Sequence, residues 1–188
     1  MPGTLDNHRI MAALDALARR LKLNRDVEVS LVGGSAGVLI QALPADWTTA
    51  DVDTIHFRAA EDRDAVLEAA AKVGRELSLP ASWLNDWGGL FAWTLPDDWE
   101  SRRVFIGAFG HLRAYAVSRQ DLIAMKFIAH RPGDLEHLAL MNVTSLDLTE
   151  VRQYLDRLAG RYPAGRFPAE AGKIEMARQY VDGWNATT

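Results

Sequence analysis

The stretch from Leu31 to Asp53 constrains this chain more than any other. A run of alternating character, Val27-Glu28-Val29-Ser30-Leu31-Val32, reads as a half-buried strand and ends in Gly33-Gly34-Ser35. A short apolar helix, Ala36 to Leu43, is expected next, stopped by Pro44, and a second strand opens with Asp51-Val52-Asp53. Glycines at a strand end let the backbone approach a bulky anion, and positive φ costs them little. Ser35 would open a helix whose free N–H groups and dipole favour phosphate. Asp51 and Asp53, two apart on a strand, leave the same face, with Cα atoms about 6.5–7 Å apart. Carboxylates so spaced can share a pair of Mg²⁺ or Mn²⁺ ions about 3.5–4 Å apart. A Gly-Gly alone is usually a turn and an Asp-x-Asp alone a solvated strand start. Their order along the chain is what points to chemistry.

Around this block the periodicity predicts a helix through Ile10, Leu14, Leu17 and Leu21, and another that Asp62 caps and that carries Val66, Ala70, Val73 and Leu77. Pro80 to Trp87 reads as a short helix or turn, and Gly88 to Glu100 has no clear period. Strands are expected at Val104–Ile106 and Leu112–Val117, with a turn at Gly110. Ser118 with Asp121 resembles a capping box. It opens a helix holding Leu122, Ile123, Lys126 and Phe127, and Arg131-Pro132-Gly133 breaks the chain before a helix from Asp134 to Met141. Two further helices are expected, near Thr149–Leu158 and Ala169–Trp184. The order implies an α/β (α+β) fold, a mixed sheet flanked by helices with a C-terminal helical bundle. Residues 1–117 form the core in this reading, and 118–188 a helical region packed on it.

Composition removes several alternatives. There are no cysteines among the 188 residues, which excludes disulfides, thiolate zinc sites and cysteine nucleophiles. A net charge of −4 argues against a broad nucleic-acid surface, though not against a local basic patch. The N-terminus lacks the apolar core of a signal peptide, and no apolar run approaches the ~20 residues that span a bilayer. A cytoplasmic protein without a membrane partner is expected. The five histidines show no zinc-ligand spacing, and His130 and His137 read as surface groups of a helix pair. Trp83, Trp87, Phe91 and Trp93 could line a base-stacking pocket, but packing between sheet and helices is the simpler reading.

The block GGSAGVLIQALPADWTTADVD resembles the signature of the polymerase-β-type nucleotidyltransferase superfamily, Gly-[Gly/Ser] followed after a helix by Asp-x-[Asp/Glu]. Ser118 to Lys126, and Arg131 with Asp134-Leu135, are similar to later motifs of the abortive-infection (AbiEii-type) toxins. Leu79-Pro80, Trp83-Leu84-Asn85-Asp86 and Arg161-Tyr162-Pro163 resemble an uncharacterised bacterial branch of the superfamily. The likeness covers about Val29 to Pro163.

The resemblance implies that Gly33, Gly34 and Ser35 hold the triphosphate of an NTP, with Thr49 keeping part of the same pattern. Asp51 and Asp53 would bind Mg²⁺ or Mn²⁺. Lys126 would reach a phosphate or order the site, and Asp134 would support it from the next helix. The implied activity is transfer of a nucleoside monophosphate to a hydroxyl of an unknown acceptor, an RNA, a protein or a small molecule, in a defence or toxin–antitoxin setting with an antitoxin as possible partner. Two departures stand out. Relatives carry a third carboxylate on a later strand, but Leu112 to Val117 has no acid, so Asp86 and then Asp134 become the candidates. Trp47 stands where relatives often have arginine. A catalytically degenerate module that binds nucleotide or a partner protein is the alternative these departures leave open.

Overall fold

The computed structural model describes residues 4–21, 24–57 and 60–185. Helix α1 (Asn7–Arg20) starts where the Asp6 carboxylate accepts the Arg9 N–H at 2.8 Å. Its Ile10, Ala13, Leu14 and Leu17 are buried. Strand β1 (Val27–Val32) follows, then α2 (Gly33–Leu39), β2 (Val52–Phe57) and α3 (Ala60–Glu76). The short β3 (Leu84–Asn85) leads into two 3-10 helices, Trp87–Thr94 and Trp99–Arg102. A hairpin of β4 (Val104–Phe109) and β5 (Leu112–Ala116) turns at Gly110, whose φ is +57°. Four helices complete the chain: α4 (Arg119–Ala129), α5 (Pro132–Leu140), α6 (Ser145–Arg161) and α7 (Pro168–Gly183).

The five strands form one mixed sheet in the order β3-β2-β1-β5-β4. β1 runs antiparallel to β2 and parallel to β5, β2 runs parallel to β3, and β4 antiparallel to β5. The register sets Val27, Val29 and Leu31 beside Leu112, Ala114 and Ala116. This apolar face joins the core that also holds Leu14 and Leu17 of α1 and Val66 and Val73 of α3. The opposite face is polar: Arg103 bonds Glu28 at 3.1 Å and the Ser30 hydroxyl at 3.0 Å, with its guanidinium over Tyr115 at 4.3 Å. A register shift between Ser30 and Leu31 accommodates one extra residue of β2 just before Asp53 pairs with Val32.

The expected α/β architecture with C-terminal helices is present; several boundaries differ. α2 starts at Gly33 and ends at Leu39, and the chain turns at Gln41 (φ 59°) before reaching Pro44. α3 starts before Asp62, whose buried carboxylate is held by Arg25 instead of capping the helix. Residues 80–87 contain β3, and 88–100 consist largely of 3-10 turns, whose three-residue repeat leaves no helical or strand period to read. Ser118 caps α4, but the Asp121 carboxylate accepts from the Ser118 hydroxyl and from Arg102. α6 starts earlier than its apolar periodicity suggests, because Thr144 and Asp147 form a reciprocal capping box.

Candidate active site

One cavity of about 460 Å³ opens where the C-terminal end of β1, the start of β2, the first 3-10 helix and α4 meet. Gly33, Asp51 and Asp53 line it from the sheet side, and Lys126, Arg131 and Asp134 from the helical side. Trp87, Leu90 and Phe91 form an apolar lip; Trp87 is 60% exposed and Leu90 76%.

The turn after β1 brings Gly33 against Asp53. Gly33 has φ +72°, and a β-carbon there would lie 2.9 Å from Asp53 Oδ2. Only glycine fits both the backbone and the carboxylate. A β-carbon on Gly34 would instead meet Thr49 Oγ1 at 3.2 Å and His137 Cε1 at 3.3 Å. Gly34 therefore rests on its supports, and Gly33 is the glycine that faces the cavity. Thr49 is anchored by a two-way backbone bridge to Leu5 and stands under the turn, outside the cavity lining. Ser35 is buried and donates its hydroxyl to the Val32 carbonyl at 3.0 Å. Its hydroxyl thus braces the strand-to-helix turn.

Asp51, one residue ahead of β2, and Asp53, on it, both line the cavity. Burial pushes both carboxyl groups above the usual range, and the Asp51 charge adds to the rise at Asp53. The Asn85 amide, Arg131 and Lys126 oppose that rise at Asp53.

Lys126 projects from the buried α4 and is 3% exposed. Its Nζ lies 3.0 Å from Asp134 Oδ1 and 2.6 Å from His137 Nδ1. Burial pulls the ammonium below its ordinary value while Asp134 resists. Asp134 has two tasks: one oxygen takes the Lys126 proton donor and the other accepts the Arg131 N–H at 3.2 Å, which fixes the start of α5. Asp86 is not brought to the site. It is paired with Arg63 of α3 and is not among the residues that line the cavity. Among the described residues no three His, Asp or Glu gather as a cation cage. Asp51 and Asp53 could offer two carboxylate ligands to one face of a cation.

Sequence reasoning missed His137. It is half-buried, its ring is edge-on to Trp47 with centroids 5.2 Å apart, and it reaches Lys126 through Nδ1. Burial and Lys126 hold its pKa down to about 4 against the pull of Asp134. At neutral pH it is an uncharged acceptor, with the ring proton on Nε2. Its spacing of eleven from Lys126 crosses a helix break, so periodicity carried no sign of the contact. Trp47, in place of an arginine, serves as packing for this histidine. Of the aromatic run, Trp83 is fully buried and donates Nε1–H to the Ala70 carbonyl at 2.8 Å, whereas Trp87 and Phe91 face the cavity. Arg131 lies over the Phe91 ring at 4.7 Å.

Residues 9–163 match the model of a family described as "Nucleotidyltransferase of unknown function (DUF6036)". No curated protein and no solved structure matches the chain. No helix among the described residues is long and apolar enough to cross a membrane.

Proposed function

Since the chain belongs to this family of nucleotidyltransferases of unknown function, we propose that its cavity binds an NTP with Mg²⁺ or Mn²⁺ and transfers the nucleoside monophosphate to a hydroxyl of an acceptor, releasing pyrophosphate. The observation that carries this reading is the meeting of Asp51, Asp53 and Gly33 with Lys126 and Arg131 in one cavity. Carboxylates on one wall and cations on the other suit a metal–triphosphate. A divalent cation at Asp51 and Asp53 would supply Lewis-acid polarisation of the phosphate and would acidify the attacking hydroxyl. Gly33 leaves room for a phosphate beside Asp53. Arg131, exposed and stacked on Phe91, is placed to neutralise charge that develops on the pyrophosphate. Lys126 contributes positive potential from beneath, held in place by Asp134 and His137. Trp87 and Phe91 offer apolar surface to a base.

The acceptor is an RNA, a protein or a small molecule. The resemblance of the Ser118–Asp134 block to abortive-infection toxins supports a cytoplasmic toxin–antitoxin setting with an antitoxin partner. A second reading, a catalytically degenerate module that binds nucleotide or a partner, is favoured by the engagement of Asp134 with Lys126, which leaves no free third acid among the described residues that line the cavity. Incubation with each α-³²P-labelled NTP, Mg²⁺ or Mn²⁺, and mixed RNA and protein pools separates the two. Label transferred to an acceptor, and lost in Asp51→Asn/Asp53→Asn, supports the enzyme. NTP binding without transfer supports the module, and absence of both removes the nucleotide reading.

A further inference from the structure

Four observations converge on Asn85. It pairs with Asp53 across β2 and β3, so the two side chains stand abreast on one face of the sheet. It is only 5% exposed. Its Oδ1 accepts the Trp87 N–H at 2.9 Å, which fixes the amide and turns the NH₂ group away from that bond. Nδ2 is buried and closes no hydrogen bond, although the amide lies near enough to Asp53 to act on its charge. A buried donor without an acceptor is costly and calls for a reason. The other flank of Asp53 is Gly33, so the carboxylate stands between a turn without a β-carbon and an amide with a donor to spare.

We propose that Asn85 is a positioning residue for Asp53 and that, as the neutral group abreast of it, it limits the protein's share of the cation site to two carboxylates, leaving the remaining ligands to the triphosphate. This rests on the reading of Asp51 and Asp53 as cation ligands. An acid at position 85 would set a third carboxylate beside them; asparagine instead sets a neutral amide abreast of Asp53 and adds no charge. The protein then takes up its cation together with nucleotide and holds it poorly alone. Ordering follows from composition: a site short of ligands is completed by the substrate that brings them.

Mn²⁺ titration followed by electron paramagnetic resonance tests this, with and without a non-hydrolysable ATP analogue, on the wild type, Asn85→Asp and Asn85→Ala. Aspartate keeps the shape and the acceptor for Trp87 N–H. Wild type should hold Mn²⁺ weakly alone and more tightly with the analogue. Asn85→Asp should tighten nucleotide-free Mn²⁺ binding roughly tenfold or more, as an added charge beside the ion requires. Asn85→Ala should weaken analogue-dependent binding several-fold without strengthening binding of the ion alone. Thermal melts and amide NMR spectra establish which variants are folded. Unchanged Mn²⁺ affinity in folded Asn85→Asp overturns the proposal, and so does unchanged analogue-dependent affinity in folded Asn85→Ala. If no form binds the analogue, the nucleotide reading fails separately, while the nucleotide-free comparison of wild type with Asn85→Asp still decides the placement of Asn85.

Discussion

Burial holds the carboxyls of Asp51 and Asp53 above their usual range, and the Asp51 charge adds to the rise at Asp53, so keeping both ionised at neutral pH costs the fold. The sign follows from linkage: a carboxyl whose folded pKa is raised binds its proton more tightly in the folded state, and its contribution to stability falls as pH rises through that range. Asp53→Asn should therefore leave the free protein as stable as the wild type or more so, by up to about 1 kcal/mol. The same change should remove the thermal stabilisation that Mg²⁺–NTP confers; a variant that is destabilised and still stabilised by the ligand contradicts both halves. Gly33→Ala should act differently. Its φ of +72° and the 2.9 Å approach to Asp53 Oδ2 combine backbone strain with a clash, so a loss of about 1–2 kcal/mol is expected in denaturant unfolding. Asp53 was legible as a strand residue from the alternation around it, while Asp51 stands one residue ahead of β2. Asn85 and His137 were not, because their roles come from cross-strand register and from a contact over a helix break, neither of which leaves a local pattern.

At the scale of elements, β1, α2 and β2 were readable because alternation, glycine and Asp-Val-Asp agree with one another. The segment from Trp83 to Arg102 was not, although it shapes the cavity. Its order comes from tertiary contacts: Trp83 anchors to the Ala70 carbonyl of α3, and a β-carbon on Gly88 would lie 2.6 Å from the Thr54 carbonyl oxygen and from Val32 Cγ2. The 3-10 helix is thus pressed onto β2 at a glycine that has ordinary φ. Gly88→Ala must push this helix off the strand because one obstacle is backbone, and it should cost about 1–3 kcal/mol. Trp87 and Phe91 move with the helix, so nucleotide affinity should fall together with stability. An unchanged melting temperature would show that the segment yields freely and does not set the cavity's shape.

Across the whole molecule, the site is shared between the sheet core and the helices after Val117. Asp51 and Asp53 come from one part, Lys126, Arg131 and Asp134 from the other, and α4 between them is buried from Asp121 to Ile128. The sequence could not show that Lys126, Asp134 and His137 close beneath the glycine turn. That closure predicts how global stability depends on pH. His137 has its pKa held down to about 4, through burial first and the Lys126 charge second, against about 6.5 when unfolded. Below its unfolded value the unfolded chain binds a proton that the folded chain refuses. The stability His137 contributes is therefore complete above about pH 6.5 and is lost progressively as pH falls toward about 4. Its slope cannot exceed about 1.4 kcal/mol per pH unit, the limit for one proton. A protonated ring would also present a second cation to Lys126 and surrender the Nδ1 acceptor, loosening α4 from α5 under Gly34. Chemical denaturation at pH 7.0, 6.0 and 5.0 measures this directly. The wild type should lose stability over that window, and His137→Asn, less stable at pH 7 through its lost packing on Trp47, should lose distinctly less on acidification. Parallel pH dependence of the two proteins would mean that some other group carries the acid sensitivity and that His137 titrates as it does in the unfolded chain.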